Sequence, residues 1–148
     1  MNLIRINKSN HPKLIYFAEK NQKFDYLDFK EKWRDHAKLG MSMPRWKNIY
    51  KYSHCDPIFL NKRFMNCDGV GIVWYRSEVS RRKHLADNVS RSFLKEDEKL
   101  TFARPVKEFS MLADEYIFNS IKLKKYKLFI KVWKSQRLNY KDFKTKWL

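Results

Sequence analysis

Most of the chain places its apolar residues at the three- and four-residue spacing of a helix face. The clearest stripe is formed by Tyr26, Phe29, Trp33 and Ala37, and Asp25 stands where it can cap the start of that helix. The same spacing predicts helices over 12–22, 43–54, 77–94 and 105–136, and a last helix that begins at Asn139. The pattern therefore predicts a largely helical protein.

The helical spacing is interrupted once, between residues 59 and 76. Two apolar or mixed runs, 59–66 and 70–76, flank the dipeptide Asp68-Gly69, which is a strong signal for a tight β-hairpin. Three helices followed by a hairpin across residues 12–76 resemble the outline of a winged-helix domain. We therefore expect a mainly α fold with one β-hairpin, in the α+β class. The alternative is an α+β core with a solvated basic face.

The resemblance covers less than half of the chain and divides it into three parts. Residues 1–94 would form a winged-helix-like basic domain, 95–104 a linker with a dense acidic cluster, and 105–148 a basic helical segment. A chain of 148 residues is long enough for one domain with a real core or for two very small ones.

One phrase occurs twice. Residues 22–33 read QKFDYLDFKEKW and residues 136–147 read QRLNYKDFKTKW, so that seven of the twelve positions are identical. Each copy follows an apolar run and has an Asp or Asn cap before a Tyr, Phe and Trp stripe, which predicts a helix, a turn and a capped second helix. If this is one device used twice, Trp33 and Trp147 are both buried. The alternative is that good helix starts converge.

The charge balance points to a polyanionic partner. The chain has 33 Lys and Arg against 16 Asp and Glu, a net charge of +17, and this excess costs self-repulsion in the folded state. The excess is concentrated: residues 122–148 carry ten basic residues and one acidic residue, and residues 41–94 carry ten and four. These two segments are the candidates for phosphate contact.

The winged-helix resemblance implies specific contact residues. The third helix of such a domain enters the major groove, where Arg and Asn read base edges, and the hairpin touches the backbone. The groove-facing candidates are Arg45, Lys47, Asn48 and Lys51. The expected phosphate contacts are Lys62 and Arg63 on the hairpin, Arg81, Arg82 and Lys83 on the next helix, and Lys124, Lys127, Lys131 and Lys134 near the C-terminus.

We therefore expect a nucleic-acid-binding protein, for duplex DNA rather than RNA. The Lys-rich, Gly-poor composition suggests an AT-rich genome, which fits a phage- or plasmid-type regulator or DNA-handling factor. Aromatic residues among the C-terminal lysines would also suit single strands, whose bases stack on rings. Two other classes stay open: a small protein that binds and modulates a host enzyme or polymerase, and a metal-dependent nuclease.

Several functional classes lack their usual sequence signals. The chain has no Gly-rich phosphate loop and no nucleophile motif, and its four His residues are scattered, so we assign no catalytic residue, metal or cofactor. No apolar run approaches the ~20 residues of a membrane span, so no membrane partner is expected. Two Cys residues are too few for a disulfide scaffold, which favours a cytoplasmic protein.

Overall fold

The structure is a computed structural model that describes residues 7–58, 66–118 and 126–147. Its elements, in chain order, are β1 (Asn7–Lys8), β2 (Lys13–Ala18), α1 (Tyr26–Ser42), a 3-10 helix (Pro44–Asn48), β3 (Ile49–Cys55), β4 (Gly69–Tyr75), α2 (Glu78–Ala86), α3 (Asn88–Thr101), a second 3-10 helix (Val106–Glu108), β5 (Ser110–Ala113), β6 (Tyr116–Ile117) and α4 (Tyr140–Trp147).

Four of the strands form one antiparallel sheet in the order β3-β4-β2-β5, and β1 pairs separately with β6. Without the short strands β1 and β6, the chain order is β2, α1, β3, β4, α2 and α3, then β5. β2 and β4 lie at the centre of the sheet, and β3 and β5 lie at its edges. This is the split β-α-β arrangement of ferredoxin-like folds.

The expected fold class is therefore wrong. The described residues form an α+β structure with six strands in two antiparallel sheets and four α-helices, not a mainly α winged helix. The main misreading concerns residues 13–18, which we predicted as helix but which form β2 at the sheet centre. A short apolar run that is covered on both faces cannot be distinguished from a buried helix by spacing alone.

The expected third helix is also wrong, and the strand expected after Asp68-Gly69 has partners other than the one predicted. Residues 43–54 contain only a short 3-10 helix before the chain enters β3. β4 was expected as a strand and is one, but its partners are β3 and β2. The predicted partner, 59–66, lies outside the described residues except for its last position.

Other helix predictions met mixed outcomes. The range 77–94 contains two helices that meet at Asp87, whose carboxylate accepts a hydrogen bond from the Ser90 N–H and caps α3. The range 105–136 was expected to be helical, but it contains β5 and β6. The expected linker, 95–104, contains the second half of α3 and the buried Phe102.

The prediction for α1 is confirmed. Asp25 caps it by accepting a hydrogen bond from the Asp28 N–H, and Phe29, Trp33 and Ala37 are its buried residues. A capped start and an aromatic stripe depend on residues at most a few positions apart, which is why they can be read locally.

The core lies between this helix stripe and one face of the sheet. Its buried rings include Tyr16, Phe29, Trp33 and Phe102, and the Trp33 Nε1–H donates to the Tyr16 hydroxyl at 3.1 Å. The Tyr16 ring lies directly over Gly71, where an added Cβ would come within 2.1 Å of the ring atom Cζ. A side chain at this position would force the ring away from the sheet, so close approach requires glycine here.

The repeated phrase adopts the same local structure twice. The Asp28 N–H bonds to Asp25 Oδ1 at 2.8 Å, and the matching Asp142 N–H bonds to Asn139 Oδ1 at 2.9 Å. The ring pairs also correspond: Phe29 and Trp33 stack at 5.5 Å and 15°, and Phe143 and Trp147 at 6.2 Å and 17°.

The tertiary settings of the two copies differ. Trp33 is fully buried, whereas 59% of Trp147 is exposed, so the expectation of two buried tryptophans is wrong for the second copy. The helix-turn-helix expectation is also wrong, because the run before the first copy is β2 and residues 126–135 form no helix or strand.

The two tryptophans should therefore differ in their contribution to stability. Trp33→Ala should lower the free energy of unfolding by roughly 3–5 kcal/mol, because it leaves a large cavity in the core. Trp147→Ala should change it by less than about 1 kcal/mol, because the ring is largely exposed. Urea denaturation followed by circular dichroism measures both. Equal costs would show that α4 is packed as firmly as α1.

Candidate nucleic-acid interface

The residues predicted to read bases do not form one exposed face. Arg45 is half-buried in the first 3-10 helix, and Asn48 is buried, with its side-chain amide donating to the Arg45 carbonyl at 3.2 Å. Lys47 and Lys51 are exposed. The tight 3-10 turn and the following strand turn these four side chains to different sides, so no recognition helix is formed. Lys62, Arg63 and Lys124 lie outside the described residues.

The arginines of α2 are paired. The Arg81 Nε donates to Glu78 Oε2 at 2.7 Å, and the Arg82 Nε donates to Glu78 Oε1 at 3.2 Å. The hydrogen bond from Arg81 is the main reason that the pKa of Glu78 falls to about 2. The carboxylate therefore offsets part of the positive charge at this end of the helix. Lys83 is exposed and forms no ion pair with any described residue.

The structure instead brings lysines together on the sheet face opposite the helices. The Nζ atoms of Lys13 and Lys51 lie 4.5 Å and 5.0 Å from the Trp74 ring centroid, and the Lys131 Nζ lies 3.9 Å from the Phe17 ring centroid. We call this surface the basic sheet face: Lys13, Lys51, Lys127 and Lys131 with the rings of Trp74 and Phe17.

Strand geometry explains why these residues meet. Alternate residues of a strand share a face, so Lys13 and Phe17 point away from the buried Tyr16 and Ala18. A β-bulge between Ile49 and Lys51 shifts the register of β3 and sets Lys51 opposite Trp74. We missed Lys13 because a helical reading of residues 12–22 hides its period-two relation to Phe17.

The C-terminal lysines reach this face through a hydrophobic anchor. Phe129 packs on the apolar cluster of Val70, Ile72 and Trp74. Nearby, the Lys127 Nζ lies 3.4 Å from the Ser53 hydroxyl of β3. The segment has no helical structure here, contrary to our expectation.

Two further C-terminal side chains extend the segment toward solvent. Lys134 is exposed, and its Nζ donates to the Leu138 carbonyl at 2.9 Å. Trp133, in a range that the spacing predicted to be helical, is 76% exposed.

The charges on the basic sheet face repel one another. The pKa of Lys13 is lowered, first by burial and then by the positive charges of Lys51 and Lys127, although a hydrogen bond and ion pair with Glu115 oppose the shift. Within the described ranges, Lys51, Lys127 and Lys131 form no ion pair with a carboxylate. A bound anion would relieve this repulsion.

The other conspicuous polar group lies inside the core. The Tyr52 hydroxyl hydrogen-bonds with the Tyr16 hydroxyl and with His54 Nε2, and the His54 ring stacks on Trp33 at 3.9 Å. Burial lowers the pKa of His54 to about 4 and raises the pKa of Tyr52 to about 12. These groups stay neutral and satisfy one another, which suits a structural network.

The sequence neighbours of His54 do not converge with it. Cys55 packs on the opposite face of the sheet, and Asp56 binds Arg34 with a 2.6 Å contact. No group of three or more His, Cys, Asp or Glu side chains in the described ranges is placed to hold a metal ion.

No helix among the described residues has the length and apolarity needed to cross a membrane.

Comparison with protein-family models and with curated proteins gives no match. Among solved structures, the chain is similar to a hypothetical protein from Arabidopsis thaliana, with 8% identity, a TM-score of 0.50, and coverage of 81% of this chain and 97% of that one. It is also similar to a dimeric ferredoxin-like protein of unknown function from Thermobifida fusca, with 12% identity, a TM-score of 0.49, and coverage of 78% and 97%. Such low identities concern the fold alone, which here rests on the Arabidopsis structure and the strand order.

The buried histidine predicts acid sensitivity. The pKa of His54 in the folded protein is about 4, below its ordinary value near 6.5. The stability that the neutral ring contributes is therefore present above pH 6.5 and is lost as the pH falls toward 4. Between pH 7.5 and 5 the loss from this residue should reach about 2 kcal/mol. Urea denaturation of wild type and His54→Gln at both pH values tests this. The variant should lose less stability than wild type over that interval; equal losses would contradict the assignment.

Proposed function

We propose that this protein binds nucleic acid by contacts to phosphate at the basic sheet face, with duplex DNA as the first candidate ligand. The observation that supports the proposal best is the cluster of Lys51, Lys127 and Lys131, which are brought together without a carboxylate partner among the described residues. Lysine binds phosphate as a point charge and needs no fixed geometry.

The arrangement of the rings favours backbone contact over base stacking. Trp74 is only 9% exposed, and the ammonium groups of Lys13 and Lys51 lie over it. Phe17 is covered in the same way by Lys131. Single-stranded binders stack bases on open rings, whereas these rings hold cations in place. This is the reason for proposing duplex before single strands.

The mode of binding that we propose depends little on base sequence. Arg45 and Asn48, the expected base readers, are turned into the protein, so phosphate contacts supply the affinity. Such binding suits a DNA-handling factor better than a regulator with one target site. A cytoplasmic location remains part of the proposal, and the free thiols of Cys55 and Cys67 are compatible with it.

Salt dependence tests the interface. For wild type, the logarithm of the DNA association constant should fall with the logarithm of salt concentration, with a slope of about −0.9 for each phosphate neutralised. The triple variant Lys51→Gln, Lys127→Gln, Lys131→Gln should reduce that slope by about 2.7, the sum of three contacts. Fluorescence anisotropy with a labelled duplex between 50 and 200 mM salt would measure both.

A matched control separates local contact from net charge. Lys38→Gln, Lys95→Gln, Lys107→Gln removes the same charge from exposed positions on α1, α3 and the second 3-10 helix. It should leave the slope within about one unit of wild type. If both triple variants lose the same amount, the basic sheet face is not the site.

Other ligands and a cleavage assay distinguish the alternative functions. Tighter binding of a single strand or a structured RNA would replace duplex DNA as the ligand. Cleavage that requires Mg²⁺ would identify a nuclease. A salt slope near zero for every nucleic acid would reject the proposal and favour an acidic protein as the partner of the basic face.

A further inference from the structure

A second candidate site lies on the opposite side of the sheet. A partly open cavity of about 110 Å³ lies between the helices and the helix-facing side of the strands. Its polar lining includes Arg45 from the first 3-10 helix, Tyr75 from β4, His84 from α2 and Glu98 from α3. Apolar side chains supply much of the remaining wall, among them Leu94 and Phe102.

Arg45 is the unusual member of this group. It is half-buried, and burial is the first cause of its lowered pKa, yet it forms no ion pair with a carboxylate in the described part of the chain. His36, which also lines the cavity, shows the usual solution, because its Nδ1 meets Asp97 at 2.7 Å. Asp87 and Glu98 attract the guanidinium without forming an ion pair with it, so Arg45 can still donate hydrogen bonds to an anion.

Two neutral groups beside Arg45 have hydrogen-bonding capacity to spare. The His84 Nδ1 lies 3.2 Å from the Arg45 carbonyl oxygen, so Nδ1 carries the proton and Nε2 can accept. Burial lowers the pKa of His84 to about 4, which keeps the ring neutral. Neither His84 Nε2 nor the Tyr75 hydroxyl has a hydrogen-bond partner among the described residues.

We propose that this cavity binds a small carboxylic acid, with Arg45 pairing with its carboxylate and the apolar wall enclosing its hydrocarbon body. The planar guanidinium matches a carboxylate by two parallel hydrogen bonds. The volume of about 110 Å³ is below the ~150 Å³ of an apolar cavity that holds benzene, which limits the ligand to a short-chain acid. Glu98 would repel a dianion, which favours a ligand with one negative charge.

This site is independent of the proposed nucleic-acid interface. Tyr75 and Leu14 of the cavity belong to the helix-facing side of the sheet, whereas Lys13 and Trp74 belong to the other side. The cavity is also too small for a nucleotide. Either proposal can therefore fail while the other stands.

Propionate is the probe for a first test, with 1-propanol as its uncharged counterpart of similar shape. Isothermal titration calorimetry on the full chain should show saturable binding of propionate and weaker binding of 1-propanol. Arg45→Gln should weaken propionate binding about tenfold or more, the effect of losing a charge-assisted pair. Lys47→Gln removes the same charge from an exposed neighbouring position and should leave propionate binding unchanged.

A variant that fills the cavity tests the location without changing charge. A Cβ at Gly40 would lie 3.9 Å from Leu94 and 4.0 Å from Trp46, ordinary contact distances on the cavity wall. Gly40→Ala should fold with unchanged or higher thermal stability, and the larger Gly40→Val should fold and reduce propionate binding.

Three results would overturn the proposal: no saturable propionate binding, equal binding of propionate and 1-propanol, or propionate binding that survives in both Arg45→Gln and Gly40→Val. Circular dichroism melting of each variant confirms that it is folded. If Arg45→Gln does not fold, Gly40→Val decides the question.

Discussion

The structure depends on how closely one helix can approach one sheet. Trp33 of α1 and Tyr16 of β2 meet over β4 at Gly69 and Gly71, where a Cβ would come within 2.4 Å and 2.1 Å of the two rings. Glycine at these positions lets two large rings fill the space that side chains would otherwise occupy. The rings then bury the Trp33 N–H and the Tyr16 hydroxyl against each other, so that polar atoms in the core are paired.

The two faces of the sheet differ in the residues that they carry. The helix-facing side holds the rings of the core and leaves a small cavity where Arg45 lies without an ion-pair partner among the described residues. The other side is apolar at its centre around Ile72 and basic around Trp74. Because alternate strand residues face opposite ways, one strand such as β2 supplies both a core residue and a lysine of the basic sheet face.

The repeated phrase shows that a local sequence motif determines helix capping and ring stacking but not burial. Both copies form a capped helix with a stacked Phe and Trp pair, because capping and ring stacking involve residues three and four positions apart. Burial follows only where another element covers the stripe. Trp33 has the sheet and Phe102 beside it, whereas Trp147 lies largely in solvent. The same twelve-residue pattern therefore stabilises the core in one place and leaves an exposed helix in the other.

The sequence by itself determined the capped helices α1 and α4, the strand β4 and the excess of positive charge, because each depends on nearby residues or on composition alone. It predicted Lys51, Lys127 and Lys131 as contacts, but it placed Lys51 on a recognition helix and left Lys13 unnoticed. Only the tertiary structure decided that β2 is a strand, that Lys13 and Lys51 lie over Trp74 and that Lys127 lies beside Ser53. The physical reason is that strands are stabilised by partners far along the chain: β2 pairs with β4 and β5, about 55 and 100 residues away. A short apolar run does not specify such partners, and because nearly every residue of KLIYFA is apolar, it shows neither the helix period nor the strand period.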